Sequence, residues 1–481
     1  MQSNIDRILA YFEQINAIPR CSKSERALGE WLHQWAKSHG FDATMDPAGN
    51  LVVRVPSSPG GKVRPTVVLQ GHMDMVCEKT PDSAHDFSKD PIRSHRDGDW
   101  LMADRTTLGA DNGIAIAYAL ALAEDDTITR PPLELLFTVD EETGLNGVKA
   151  MAPGLISGTI MINLDSEDEG VFTIGCAGGV DTTLMMALQR DPLPSEWPQF
   201  TLTVGGLKGG HSGIDIHKHR ANANKLLART LSRIGQDNRF RLISIDGGSR
   251  HNAIARDAVA SFAVAPGAAE TIATAVSAME RILRQEYAAS DSDIFLKLET
   301  SPVNALLGAT LESSERAISL LRALPHGVAG MSPTLEGLVE TSNNVALVSF
   351  KEDRLSILSS QRSSVASRLS EITETIHSVA ELAGAQFRDE NKYPAWQPDM
   401  AAPLLAQAQT IYRRLFSKEP VIQVIHAGLE CAIIADRYPG MQMISFGPTI
   451  RDPHSPTERM HIPSVALVGQ LLVGLLEELG R

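Results

Sequence analysis

Apolar residues recur at helical spacing near the start of the chain, at Ile5, Ile8, Leu9, Phe12 and Ile15, with Ser3 as an expected cap. A second amphipathic run, from Ser24 to Gly40, predicts another helix. The pattern then shortens. Residues 51–55 and 65–69 are apolar runs separated by a Gly/Pro/Ser turn at 57–62, and they predict strands, the second buried on both faces and leading into Gln70-Gly71-His72-Met73-Asp74. A small-residue helix over 114–123, a strand over 133–139, a helix from near Gly144 and a strand over 160–164 follow. This alternation predicts an α/β fold with a mostly parallel, helix-covered sheet. Residues 78–105 are polar and irregular and are expected to form a loop excursion.

The style changes at Asp191-Pro192-Leu193-Pro194. Strand 200–204, helix 221–234, strands 240–245 and 257–264, helix 268–286 and strand 294–298 have the β-α-β-β-α-β order of a ferredoxin-like unit. A helix over 311–324, strands over 337–350 and 355–359, a helix over 364–383 and a short strand near Gln386 suggest a partial second copy. From Pro403 the α/β pattern returns, with strands over 420–425 and 441–446 expected to complete the first sheet. The expected organisation is therefore 1–190 and 394–481 as one discontinuous domain, with 191–393 as an inserted α+β domain.

A length of 481 residues accommodates two domains. The formal net charge of -14 disfavours a polyanionic partner and argues against nucleic acid as the ligand. Cys21, Cys77, Cys176 and Cys431 lie far apart without a C-x-x-C pair, so neither a disulfide framework nor a zinc knuckle is expected, and a reducing, cytoplasmic setting fits. The opening residues lack a basic segment followed by an apolar core, and the apolar run 465–476, interrupted by Gln470, is expected to be too short to span a bilayer.

Candidate chemistry concentrates where predicted strands end, which is where open α/β sheets carry their sites. Two divalent metals need a bridging carboxylate, terminal His or carboxylate ligands, and a further carboxylate to accept a proton from water. His72 and Asp165 are assigned to one metal, Glu142 and His454 to the other, and Asp111 to both. Asp74 is expected to hold the free ring nitrogen of His72 and fix its tautomer. Glu141 is the expected general base. Each residue has an ordinary alternative: a loop hydrogen bond for His72-Met73-Asp74, an N-cap for Asp111, a solvated turn for the Glu pair. It is the set that argues for a metal site. His454 is chosen over His461 because it follows a strand and turn, whereas His461 precedes a helix.

Gly205 to Gly213 places His211 on a glycine-rich loop that lacks the ending of a phosphate loop. It reads equally as an oxyanion donor or an exposed hairpin histidine. Arg250-His251-Asn252 and Arg362 read as carboxylate grips or as solvent-facing residues, and His217-Lys218-His219 as a solvated face. Cys77 has no partner base and is not expected to be a nucleophile.

Gly71-His72-Met73-Asp74, Gly109-Ala110-Asp111-Asn112-Gly113, Asp140-Glu141-Glu142-Thr143-Gly144, Leu164-Asp165, Gly210-His211-Ser212 and His454-Ser455-Pro456-Thr457-Glu458 together resemble, in order, the motifs of the M20 family of dinuclear zinc metallopeptidases. Met75-Val76-Cys77-Glu78-Lys79 resembles its bacterial cytosolic dipeptidase branch. The resemblance implies a zinc-peptidase-like catalytic domain with a lid, two Zn2+ per subunit with Co2+ or Mn2+ as substitutes, and a homodimer. By position its ligands fall on His72, Asp111, Glu142, Asp165 and His454, its base on Glu141 and its orienting Asp on Asp74. Its lid histidine falls on His211, in cis or in trans, and its substrate contacts on Asn252, Arg362 and the Gly428-Leu429-Glu430 loop. The expected reaction is hydrolysis of dipeptides with free N-termini, Xaa-His and β-alanyl-histidine among the candidates, by a water bridging two zinc ions. The rivals are an N-acyl amino-acid amidohydrolase and a catalytically silent peptide-binding protein. Neither nucleic acid nor membrane is expected as a partner.

Overall fold

The computed structural model describes residues 2–61, 63, 65–301 and 305–481. Lys62, at the end of the expected turn, and the side chain of Ser3 lie outside them. The chain divides into two compact units: residues 1–176, 398–424 and 429–481, and residues 177–397 with 425–428.

In the first unit, among the described residues, eight strands run across the sheet in the order Asp42–Met45, Leu51–Val55, Leu133–Thr138, Val67–His72, Ile160–Asn163, Gln442–Ser445, Val171–Cys176 and Val421–Ile425. The four central strands pair in parallel. Antiparallel pairs flank them. Val67–His72 and Leu133–Thr138 are buried at every position, as strands covered on both faces must be. The helix Ala110–Ala123 closes on Val67–His72 because Gly71 has no side chain: a Cβ there would collide with Asn112 and Ala115.

Two expectations are corrected in this unit. Residues 78–105 are not all irregular. Ser94–Asp97 and Trp100–Ala103 form a hairpin whose inner strand pairs with Arg459–His461, so the excursion supports the segment that carries His454. These strands are only four residues long, too short for alternation to announce. The last helix, Ile462–Gly480, is longer than the run expected there, and by length and composition it could cross a membrane. Here it is a core helix, with Val465, Leu471, Leu472, Leu475 and Leu476 buried and the carbonyl of Val465 accepting the Tyr118 hydroxyl at 2.9 Å.

The main sheet of the second unit is antiparallel and runs in the order Phe295–Thr300, Gln199–Gly205, Ala258–Val264, Phe240–Gly247, Val339–Lys351, Arg354–Ser363, Gly178–Ala187 and Gln386–Tyr393, with Gly327–Met331 paired beside Val339–Lys351. Its first half has the 4-1-3-2 strand order of a ferredoxin-like unit, with helices Ala223–Asp237 and Ala269–Glu286. The second half repeats that order, and its first strand is Gly178–Ala187. The second copy is thus complete rather than partial, with the first inserted between its opening strand and the helix Leu311–Ala323. The change of unit falls at Ala177, earlier than the expected Asp191. No element is expected over Gly178–Ala187 from the sequence, and its pairing with Arg354–Ser363 and Gln386–Tyr393 defines it.

Candidate metal centre

Three strand ends in the first unit converge. His72 ends Val67–His72, Glu141 and Glu142 follow Leu133–Thr138, and Asp165 follows Ile160–Asn163. Asp111 sits in the non-helical opening of Ala110–Ala123, and His454 lies between the short strands Ile450–Arg451 and Arg459–His461.

Asp111 is shared by both sides of the cluster. Its Oδ1 lies 3.0 Å from His72 Nε2, which is 3.4 Å from Asp165 Oδ1. Its Oδ2 lies 3.0 Å from His454 Nε2, which is 3.0 Å from Glu142 Oε2. Ligand atoms of His72, Asp111 and Glu142 all fall within 4.8 Å of one another. His461 is elsewhere, against the Trp100 ring at 5.0 Å.

On the far side of the His72 ring, Nδ1 is 3.1 Å from the Asp74 carbonyl and 3.3 Å from Asp74 Oδ1. The same Asp74 carboxylate accepts the backbone N–H groups of Glu141 at 3.0 Å and Glu142 at 3.2 Å. One buried side chain therefore sets a histidine and both glutamates.

The electrostatics favour a cation. Burial opposes charge on Asp111, yet hydrogen bonds to His454 and His72 hold its carboxyl well below the usual range. Hydrogen bonds to Asp111 and Glu142 push His454 up to about 11. Burial works against a charged His72, but Asp165, Asp111 and Asp74 raise it well above its ordinary value. Burial lifts Asp165 to about 6, with Asp111 and Glu142 adding repulsion. Burial pushes Glu141 well up, reinforced by Asp165, Glu430 and Glu142. Carboxylates that draw this much positive charge onto two imidazoles suit divalent cations between them. Glu142 Oε1, buried and without a hydrogen-bond partner, is a donor atom of the right kind for the same purpose.

The sequence predicts no role for Glu458, Arg20, Gln70 or Asn112, and it places Glu430 in the expected substrate-contact loop. Glu458 accepts the N–H groups of Leu108, Gly109, Ala110 and Asp111 at 2.8 to 3.3 Å, fixing the loop that presents Asp111. It ended a recognised motif but carried no sign of this partner. Arg20, fully buried, donates to the carbonyls of Met73 at 3.1 Å, Asp74 at 3.0 Å and Gly109 at 2.5 Å. Gly109, at φ 70°, leaves room for that guanidinium, since a Cβ would meet its Nη2 at 2.5 Å. Beneath the ligands, Glu430 accepts from Gln70 at 2.5 Å and Thr138 at 2.7 Å, and Gln70 accepts from Asn163 at 2.5 Å. Asn112 links the strand ends, accepting His72 N–H at 3.1 Å and donating to the Leu164 carbonyl at 2.8 Å.

Cys21 and Cys77 form a disulfide, against the sequence expectation. A parallel bridge between Cys21 and Met75 brings together two segments whose spacing gave no hint of it.

His211, Asn252, Arg362 and Gly428 belong to the second unit. His211 Nδ1 accepts the N–H groups of Gly213 at 3.1 Å and Ile214 at 3.2 Å, which leaves Nε2 carrying the proton. Burial and Arg362 lower its pKa, with Asp215 opposing them. The Asn252 carbonyl accepts Ser212 N–H at 2.8 Å. Arg362, 8% exposed, donates to the Tyr393 hydroxyl at 3.0 Å and keeps its Nε unpartnered. Gly428 lies against the Tyr393 ring.

A parallel-centred α/β sheet with histidine and carboxylates gathered at its strand ends defines a metallohydrolase-type unit. The chain belongs to peptidase family M20/M25/M40, whose model matches residues 68–478. It is 42% identical over 468 residues, covering 97% of this chain and 96% of the relative, to the cytosol non-specific dipeptidase of Escherichia coli. It also matches the crystal structure of aminoacylhistidine dipeptidase from Vibrio alginolyticus, with 41% identity, a TM-score of 0.92, and coverage of 98% of this chain and 96% of that one. A Bacillus cereus aminopeptidase, 15% identical with a TM-score of 0.58, shares the fold.

Proposed function

We propose that this chain is a cytosolic metallo-dipeptidase acting on dipeptides with free N-termini, Xaa-His included. Its E. coli relative bears the name of a cytosol non-specific dipeptidase and its Vibrio neighbour that of an aminoacylhistidine dipeptidase, each matched over almost the whole chain. The observation that carries the metal assignment is the pair of 3.0 Å approaches from the two oxygens of Asp111 to two different histidines.

The proposed holders are His72 and Asp165 on one side, Glu142 and His454 on the other, with Asp111 common to both, and the proposed ions are zinc. Divalent cations there supply Lewis acidity, which makes water nucleophilic near neutral pH and polarises a carbonyl oxygen. Glu141 takes the proton of the attacking water on its carboxylate and returns it to the leaving amine. Burial raises its proton affinity, the direction that helps a carboxylate take a proton from water. Asp74 keeps His72 in the tautomer whose Nε2 faces the carboxylates and anchors the backbone of Glu141 and Glu142. The Nε2–H of His211 is the proposed oxyanion donor, and Asn252, Arg362 and Gly428 the proposed substrate contacts. A homodimer is proposed on the family resemblance and is read by light scattering.

The test is hydrolysis of Ala-His and N-acetyl-histidine by apo protein reloaded separately with zinc, cobalt or manganese. Release of histidine from Ala-His alone, restored by a divalent ion, is expected. Undiminished cleavage after removal of divalent ions overturns the metal assignment, and preferential cleavage of N-acetyl-histidine overturns the dipeptidase reading.

A further inference from the structure

We propose that Cys21 and Cys77 are a reversible redox modification site, closed and opened by exchange with a low-molecular-weight thiol/disulfide couple, that clamps the segment presenting Asp74. The proposal rests on the cytosolic dipeptidase reading for its setting and consequence, while the thiol chemistry is tested independently of turnover.

The bond joins the two segments that Arg20 already holds together. Cys21 follows Arg20, whose guanidinium binds the carbonyls of Met73, Asp74 and Gly109, and whose own carbonyl accepts Met75 N–H at 3.2 Å. Cys77 lies three residues beyond Asp74. The disulfide closes a sequence separation of 56 residues that contains both His72 and Asp74. Because Asp74 also receives the N–H groups of Glu141 and Glu142, slack at this point reaches a histidine and two glutamates at once.

Accessibility singles out this pair. Both cysteines are half-buried, whereas Cys176 and Cys431 are fully buried. An exchange reagent therefore meets Cys21 or Cys77 first. In a compartment poised by thiols, a disulfide that a reagent can approach is in equilibrium with its dithiol.

The chemistry balances as two exchanges. One cysteine thiolate attacks a small disulfide, forming a mixed disulfide and releasing one small thiolate. The second cysteine thiolate then attacks the protein sulfur of that mixed disulfide, forming the Cys21–Cys77 bond and releasing the second. The two cysteines lose two electrons and two protons, and the small disulfide becomes two thiols. Opening is the reverse, with two small thiols as reductant.

The test holds the metal-loaded full-length protein at a series of reduced-to-oxidised glutathione ratios, quenches with an alkylating reagent without unfolding, and identifies modified peptides by mass spectrometry. The linked Cys21–Cys77 peptide is expected to interconvert with two alkylated cysteines across the series, with Cys176 and Cys431 unmodified throughout. Amide exchange over residues 72–78 and 140–143 is expected to be about tenfold slower in the linked form, and Cys77→Ser removes the difference. Should that variant fail to fold, wild-type protein at the two ends of the series gives the same comparison. A pair alkylated at every ratio, a bond that survives excess thiol in the folded protein, or identical amide exchange in both forms overturns the proposal. Absence of dipeptide hydrolysis alongside normal interconversion would defeat the catalytic reading instead.

Discussion

His454 Nε2 lies 3.0 Å from Asp111 Oδ2, although the two residues are 343 positions apart in the chain. The other Asp111 oxygen faces His72 at the same distance. A carboxylate with one oxygen committed to each side is the member of the cluster for which no neighbour substitutes.

Asp111→Asn is therefore expected to reduce bound divalent metal from the proposed two ions per chain to one or none and to slow Ala-His hydrolysis at least about a hundredfold. Elemental analysis of the purified variant, paired with histidine release, reads both. Two retained ions with normal turnover would remove Asp111 from its shared position.

Glu141→Gln separates proton transfer from metal holding. Metal content is expected to stay at the wild-type level while kcat falls by about 10²–10⁴-fold, the usual contribution of a general base. Loss of metal in this variant would make Glu141 a ligand, and near-normal kcat would make it a bystander.

Asp74→Asn keeps the size of the side chain but weakens its hold on three partners. Metal affinity is expected to fall about 10–100-fold, the range for residues that orient a ligand, as measured by competition with a chromophoric chelator. Unchanged affinity would show that the Asp74 carbonyl alone, 3.1 Å from His72 Nδ1, suffices to orient the ring.

Glu458→Ala leaves the N–H groups of Leu108, Gly109, Ala110 and Asp111 without their acceptor. A loss of about 3 kcal/mol of stability is expected from exposing such donors to a cavity, with metal loss following because the Asp111 loop relaxes. Denaturant midpoints of the apo proteins isolate the first effect. A midpoint within error of wild type would show that the loop holds itself.

The second unit carries a pH dependence of its own. Burial lowers His326 to about 3, and burial together with Arg362 lowers His426 to about 3, against an ordinary value of 6.5. The unfolded chain binds protons at these sites before the folded one does. Their contribution to stability is whole above pH 6.5 and is lost as pH falls from there toward 3. Amide exchange across residues 177–397 is expected to accelerate between pH 7 and 5 beyond its intrinsic trend, and His326→Gln to flatten part of that response. A flat profile in the wild-type protein would contradict it.

Much of this protein could be read along the chain because the relevant signals are local. Burial on both faces makes an apolar run such as Val67–His72 visible by itself, and the turn that must follow a covered strand marks where His72, Glu142 and Asp165 sit. The first ferredoxin-like copy was legible for the same reason, since its six elements are consecutive. Tertiary contact decided the rest. The opening strand of the second copy, Gly178–Ala187, is separated from its partners by the whole first copy, so no local pattern assigned it. Glu458 gains its meaning from four amides nearly 350 residues away, Arg20 from carbonyls on two other segments, and Cys21 from Cys77 across a bridge to Met75. Periodicity records which face of an element meets the core, whereas these pairings depend on which distant backbone arrives at that face, and that is fixed only when the sheet closes.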